Sequence, residues 1–188
     1  MREDIKKDIL DVLKDSYKAI NKNDIVKLKD ASNHIIHKAS IMQDEDSTTI
    51  AVLIYSLSKI FERPHYRDYK DWPLFYKTCM DNLEKAITNL GKDNIDVYEE
   101  SINSIFGVMD KLESHLKQYI QEVIEKARIH RASRIHEHGI SVERTAKLLG
   151  ISPWELMEYV GKTGISDVKL SLTKTAKERL KLVREIFK

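Results

Sequence analysis

From Tyr98 to Val123 the chain places Tyr98, Ile102, Ile105, Met109, Leu112, Leu116, Tyr119 and Val123 at successive spacings of 4, 3, 4, 3, 4, 3 and 4 residues. Only an α-helix turns that pattern into one apolar seam, because three and four residues both return to the same side of a 3.6-residue turn. Read as one helix from Asn94 to about Ile135, the segment would be roughly 60 Å long at ~1.5 Å per residue, longer than a compact bundle requires. The spacing therefore predicts either a projecting arm that pairs two copies into a homodimer, or a bend before the C-terminal region. Its continuation through Lys126, His130 and Ser133 is polar, so the packed seam should end near Ala127.

The rest of the chain reads the same way. With 6 glycines and 3 prolines in 188 residues and few windows alternating with period two, the sequence predicts an all-α fold. A first helix should run from Glu3 to Ile20, burying Ile5, Ile9, Val12, Ser16 and Ile20. A second, capped by Asn23 or Asp24, should bury Leu28, Ala31, Ile35, Ala39 and Met42. A third, Thr48 to Glu62, capped by Asp46 or Ser47, is apolar on most sides and belongs in the middle of a bundle. Pro64 ends it. After the aromatic connection RPHYRDYKDWP, a fourth helix should span Trp72 to Leu90 and stop at Gly91.

Several classes of protein are disfavoured. The longest apolar run, Ile50 to Leu57, is far shorter than the ~20 residues of a bilayer span. The first ten residues mix charge with helical apolar spacing and do not resemble a secretory leader, so no membrane association and a cytoplasmic location are expected. Cys79 is the single cysteine and reads as a buried thiol in a reducing compartment. High Lys and Ile with few Gln fits a prokaryotic source. Formal net charge is +2, but residues 140–188 hold 10 Lys/Arg against 6 Asp/Glu, so the basic excess lies at the C-terminal end. Gly139 is a plausible helix stop, which divides the chain into a helical bundle, 1–138, and a C-terminal module, 139–188.

That module contains the run RTAKLLGISPWELMEY, residues 144–159. A helix-turn-helix needs a small residue where its helices cross, a glycine at positive φ in the turn, and apolar residues that lock the pair. Ala146 supplies the first and Gly150 the second, while Leu149, Ile151, Leu156 and Tyr159 supply the lock. Ser152 should cap the second helix and Pro153 occupy its first position. The run resembles the small prokaryotic helix-turn-helix proteins that act as antitoxins to PIN-domain ribonucleases. These share the form Ala-x-x-(Leu/Ala)-Gly-(Ile/Val)-Ser-x-Trp-Glu, matched by Ala146, Leu149, Gly150, Ile151, Ser152, Trp154 and Glu155. The resemblance covers about 26 residues and implies double-stranded DNA binding, autoregulation and a protein partner such as a PIN-domain toxin.

On this reading the chain is a DNA-binding transcriptional or antitoxin-like regulator. Arg131, Arg134, Arg144, Lys147 and Lys162 would hold phosphates, and Ser152, Trp154 and Glu155 would stand where the second helix enters the major groove. Arg128 is a further phosphate candidate. A last amphipathic helix, about Thr173 to Phe187, would bury Ala176, Leu180, Val183 and Phe187 and show Lys174, Lys177, Lys181 and Arg184 to solvent. Base readout favours Arg, Lys, Asn or Gln, whereas the second helix offers Glu155, Glu158 and an aromatic. The same residues therefore also fit a protein-interaction adaptor that uses the helix-turn-helix as a docking surface. A third reading is enzymatic: in RIHRASRIHEHG, Arg131 and His136 have the spacing of HEPN-type ribonucleases, although Ala132 stands where a polar residue is usual. His34, His37, His130, His136 and His138 lack the cysteine pairs or carboxylate-rich helices that would complete a metal site. No cofactor fingerprint, phosphate loop or nucleophile elbow is present, and the expectation is a non-enzyme without cofactor.

Overall fold

The computed structural model describes residues 1–108, 112 and 115–163. The expected final helix, Thr173 to Phe187, lies outside the described residues, as does Met109 of the seam. Among the described residues the fold is all-α, with eight α-helices and a 3-10 turn: α1 (Glu3–Asn21), α2 (Ile25–Met42), α3 (Glu45–Phe61), the turn Pro64–Asp68, α4 (Trp72–Leu90), α5 (Ile95–Phe106), α6 (His115–Glu137), α7 (Val142–Leu149) and α8 (Pro153–Thr163). No described helix is long and apolar enough to cross a membrane.

The apolar stripes decide the packing. Helix α1 buries Ile5, Ile9, Val12, Leu13, Ser16, Ala19 and Ile20, its charged residues filling the opposite side. Asp24 caps α2 by accepting from the backbone N–H of Lys27 at 3.1 Å. Helix α3 is buried nearly all round and packs against α1, α2, α6 and α7, the central position its composition predicts. Its cap is Asp44, which accepts from Ser47 N–H at 2.7 Å, so the helix starts earlier than Thr48. Asp46 stands inside the first turn, where partial burial and then the neighbouring Asp44 push its carboxyl pKa up. Between α2 and α3, the Ser32 hydroxyl donates to the Ala51 carbonyl at 2.9 Å, satisfying a buried hydroxyl across the interface. Met42, expected in the core, lies at the exposed end of α2. Cys79 is fully buried on α4, and burial pushes its thiol pKa up, leaving an inert thiol.

The single long helix from Asn94 to Ile135 does not form. Helix α5 stops at Phe106, with Gly107 as its C-cap, and α6 begins at His115. The seam still behaves as a seam: Tyr98, Ile102, Ile105, Leu112, Leu116 and Val123 are all buried within this chain's own core. These six residues are covered within the chain itself, whereas Tyr119 of the same seam is 40% exposed.

Helix α6 packs against α2, α3, α7 and α8, and its buried stretch continues past Ala127 through Arg131, Ala132, Ser133 and Ile135. Expecting the packed region to end near Ala127 was wrong, because polar Arg131 and Ser133 also point inward. Gly139 takes φ +88 and turns the chain into α7. Leu148, Leu149, Leu156 and Val160 join the same contiguous core as α1 to α6.

Candidate functional site

The α7–α8 pair closes as its sequence predicts. Ser141 caps α7 by accepting from Arg144 N–H at 3.2 Å. Gly150 takes φ 62 and ψ 34, a left-handed conformation that a residue with Cβ enters only with strain. The Ile151 N–H reaches back to the Ala146 carbonyl at 3.1 Å and the Gly150 N–H to Lys147 at 3.4 Å, satisfying carbonyls that the helix end leaves free. Ala146, Leu149 and Leu156 are buried together with Val160, and Ile151 packs partly buried against the same core. Tyr159, also expected in the lock, is partly buried and lines a cavity with Tyr55 and His130.

Helix α8 opens with a reciprocal cap. Glu155 N–H donates to the Ser152 hydroxyl at 3.1 Å, while Ser152 N–H donates to the Glu155 carboxylate at 2.8 Å. That backbone bond holds the Glu155 carboxyl below its usual pKa. Ser152 and Glu155, expected where the second helix enters the groove, both have side chains engaged in starting that helix. Ser-x-x-Glu is itself a capping signature, so this role could have been read from the sequence.

The outer face of α8 is apolar and acidic. Trp154 is 77% exposed and Met157, three residues on, is 57% exposed. Glu158 lies beside them, paired with Lys162 at 2.5 Å. The expected phosphate-binding cations are unevenly placed. Arg134 is exposed but pairs with Glu137 at 2.8 Å, and the Arg144 guanidinium donates to the Gln43 carbonyl at 3.2 Å. Lys147 is exposed on α7. Arg128 is exposed on α6 and lines a cavity beside Leu148, Leu149 and Gly150.

Arg131 cannot meet a phosphate in this fold. It is 1% exposed, with its guanidinium carbon 3.9 Å from the Tyr55 ring centroid and one amino group donating to Asn33 Oδ1 at 3.0 Å. Its Nε has no partner, and no carboxylate pairs with it among the described residues. Burial pulls its pKa down to about 10, so it stays charged at neutral pH. On the same ring, His130 stacks at 4.7 Å and 6°. Burial first, then Arg131, Arg134 and Lys59, pull the His130 pKa down to about 4. Sequence reasoning missed this cluster because its members lie on three helices and nothing local in RIHRAS marks the arginine as inward-facing.

The structure gives Arg131 and His136 separate surroundings. While Arg131 faces Tyr55 and Asn33, His136 Nδ1 lies 2.8 Å from the Ile140 carbonyl, the geometry of an N–H donor at the end of α6. His37 and His138 approach as rings, with centroids 5.1 Å apart. No family model matches the chain, and no curated protein or solved structure matches it either.

Proposed function

We propose that the protein is a helix-turn-helix adaptor of antitoxin-like type, whose α8 docks a protein partner through Trp154 and Met157. The exposed Trp154 carries this reading. A tryptophan side chain buries ~150–250 Å², so covering Trp154 removes on the order of 150 Å² from water, roughly 4 kcal/mol gross at ~25 cal/mol per Å². Exposed tryptophans of this kind anchor protein interfaces far more often than they read base edges. The apolar pair, bordered by Glu155 in its cap and Glu158 paired with Lys162, fits an apolar cleft on the partner. The resemblance to antitoxins, which pair with PIN-domain ribonucleases, supports a protein partner as well.

A photo-crosslinking amino acid at Met157 will identify the partner, and titration of that purified partner then tests the docking face. Trp154→Ala is expected to weaken binding about 30-fold or more, the loss of a residue worth ~2 kcal/mol, while stability stays within about 0.5 kcal/mol. Unchanged affinity would overturn the docking reading.

A second reading, a regulator of double-stranded DNA, is favoured by the cations Arg128, Arg144 and Lys147 on exposed positions of α6 and α7 beside an open α8 edge. It predicts duplex affinity that falls steeply with salt.

A further inference from the structure

Away from the outer face of α8, two cavities adjoin between α3, the 3-10 turn and α6, the first also bounded by Tyr159 of α8. They share Arg63, Val123 and Lys126 as a common wall. The first, about 320 Å³, is further lined by Tyr55, Lys59, His130 and Tyr159. The second, about 300 Å³, is further lined by His65, Tyr66, Tyr69, Tyr119 and Glu122. Each cavity therefore has aromatic walls, and two cations stand where they meet. Tyr119 is 40% exposed and stacks on Tyr66 at 5.6 Å and 18°. Arg63 lies over the Tyr66 ring at 5.4 Å and donates to its hydroxyl.

Charge in this groove is mostly positive. Lys59, Arg63 and Lys126 line it against one carboxylate, Glu122, which pairs with Lys126 at 3.1 Å. Glu62, partner of Lys59 at 3.2 Å, is shared with Lys29 at 2.5 Å. Behind Tyr55 sits the buried charge of Arg131, with its Nε unpartnered. A buried cation without a counter-ion raises the potential of the cavity beside it, because little solvent intervenes to screen it. Burial is the first cause of the depressed His130 pKa, and Arg131 is the second.

We propose that this double cavity binds single-stranded nucleic acid, with one base against the exposed Tyr119 ring, the next against Tyr159, and the phosphate between them on Arg63 and Lys126. Ring faces accept any base, and cations at the waist track the backbone, the combination by which sequence-tolerant single-strand binders work. A duplex, with its bases stacked and paired, cannot present them to two such pockets. The site uses the α3–α6 side of the molecule and stands independently of docking through Trp154.

Fluorescence anisotropy of the full chain with labelled eight-nucleotide uridine and thymidine strands tests it, alongside a duplex of matched length and unlabelled uridine monophosphate as competitor. Single strands are expected to bind with salt-dependent affinity and the duplex more weakly. Lys126→Glu should lower single-strand affinity at least tenfold and Tyr119→Ala about tenfold, within the range for one stacked base. Lys77→Glu, an exposed reversal on α4, should leave it unchanged. Lys126 is exposed, so its reversal sets up one solvated like-charge pair with Glu122 and leaves the core intact; Tyr119→Leu retains bulk without a stacking face and should repeat the Tyr119→Ala result. Absence of single-strand binding, equal loss in Lys77→Glu, or tighter binding of the duplex would overturn the proposal. Competition by uridine monophosphate at the strand's own affinity would also overturn it, by identifying a mononucleotide pocket.

Discussion

Tyr55→Ala is expected to destabilise the protein by about 3–5 kcal/mol, a large share of the ~5–15 kcal/mol that holds a domain folded. The substitution acts twice. It opens a cavity among α3, α6 and α8, since Tyr55 packs against the core and lines a cavity together with His130 and Tyr159. It also removes the ring that lies 3.9 Å from the Arg131 guanidinium, leaving a buried cation with Asn33 as its remaining partner. Tyr55→Phe keeps the ring and should stay within about 1 kcal/mol of the parent. Tyr55→Ala combined with Arg131→Met should lose less than the two single changes added together, because the stranded charge is gone. Urea unfolding of the parent, the three single variants and the double variant measures this. A loss below about 1 kcal/mol for Tyr55→Ala would show that Arg131 does not depend on the ring.

Acidification should weaken the fold through the same cluster. His130 has an ordinary pKa of 6.5 and is pulled down to about 4 by burial and by Arg131, Arg134 and Lys59, with Glu137 opposing them weakly. A base whose pKa is lower folded than unfolded binds its proton more readily in the unfolded chain. Its stabilising contribution is therefore complete above about pH 6.5 and is lost as pH falls towards 4. The span corresponds to roughly 3 kcal/mol, reduced towards ~1–2 kcal/mol because the imidazole is only partly buried. Carboxylates held low, such as Glu62 beside Lys29 and Lys59, add a loss of the same sign over a lower pH range. Comparison with His130→Phe isolates the imidazole: the variant should lose less stability between pH 7 and pH 4 than the parent. Equal losses would mean that His130 titrates normally.

The elements legible in the sequence were those whose signals are local. Helix α4 spans Trp72–Leu90 as its proline and glycine punctuation indicated, α1 extends one residue past its expected end, and Gly150 adopts the positive φ that its turn required. Periodicity was less informative about continuity. Among the described residues the 4-3-4-3 spacing predicted the inward positions except Tyr119, yet it is satisfied equally by one long helix and by α5 and α6 separated after Phe106, since both bury most of the same seam. Asp44, Asp46 and Ser47 can all cap a helix, and the choice of Asp44 depends on where α2 delivers the chain.

The candidate site was half legible for the same reason. The exposure of Trp154 follows from local signals, because Gly150, Ser152 and Pro153 fix the start of α8. Arg131 was misplaced because its environment is made by Tyr55 on α3 and Asn33 on α2, far away in sequence. An arginine in a basic helix ordinarily faces water, and only the assembled bundle shows that this one does not.

The most direct test of the account is duplex-DNA affinity at about 50 mM and about 200 mM salt, measured on Lys126→Glu protein so that the α3–α6 groove contributes little. With Trp154 and Met157 outward, Glu155 in its cap and Arg131 in the core, no saturable duplex binding is expected at either concentration. Binding that drops by tenfold or more between them and weakens further in Lys147→Glu would contradict the account and make α8 a reader of DNA.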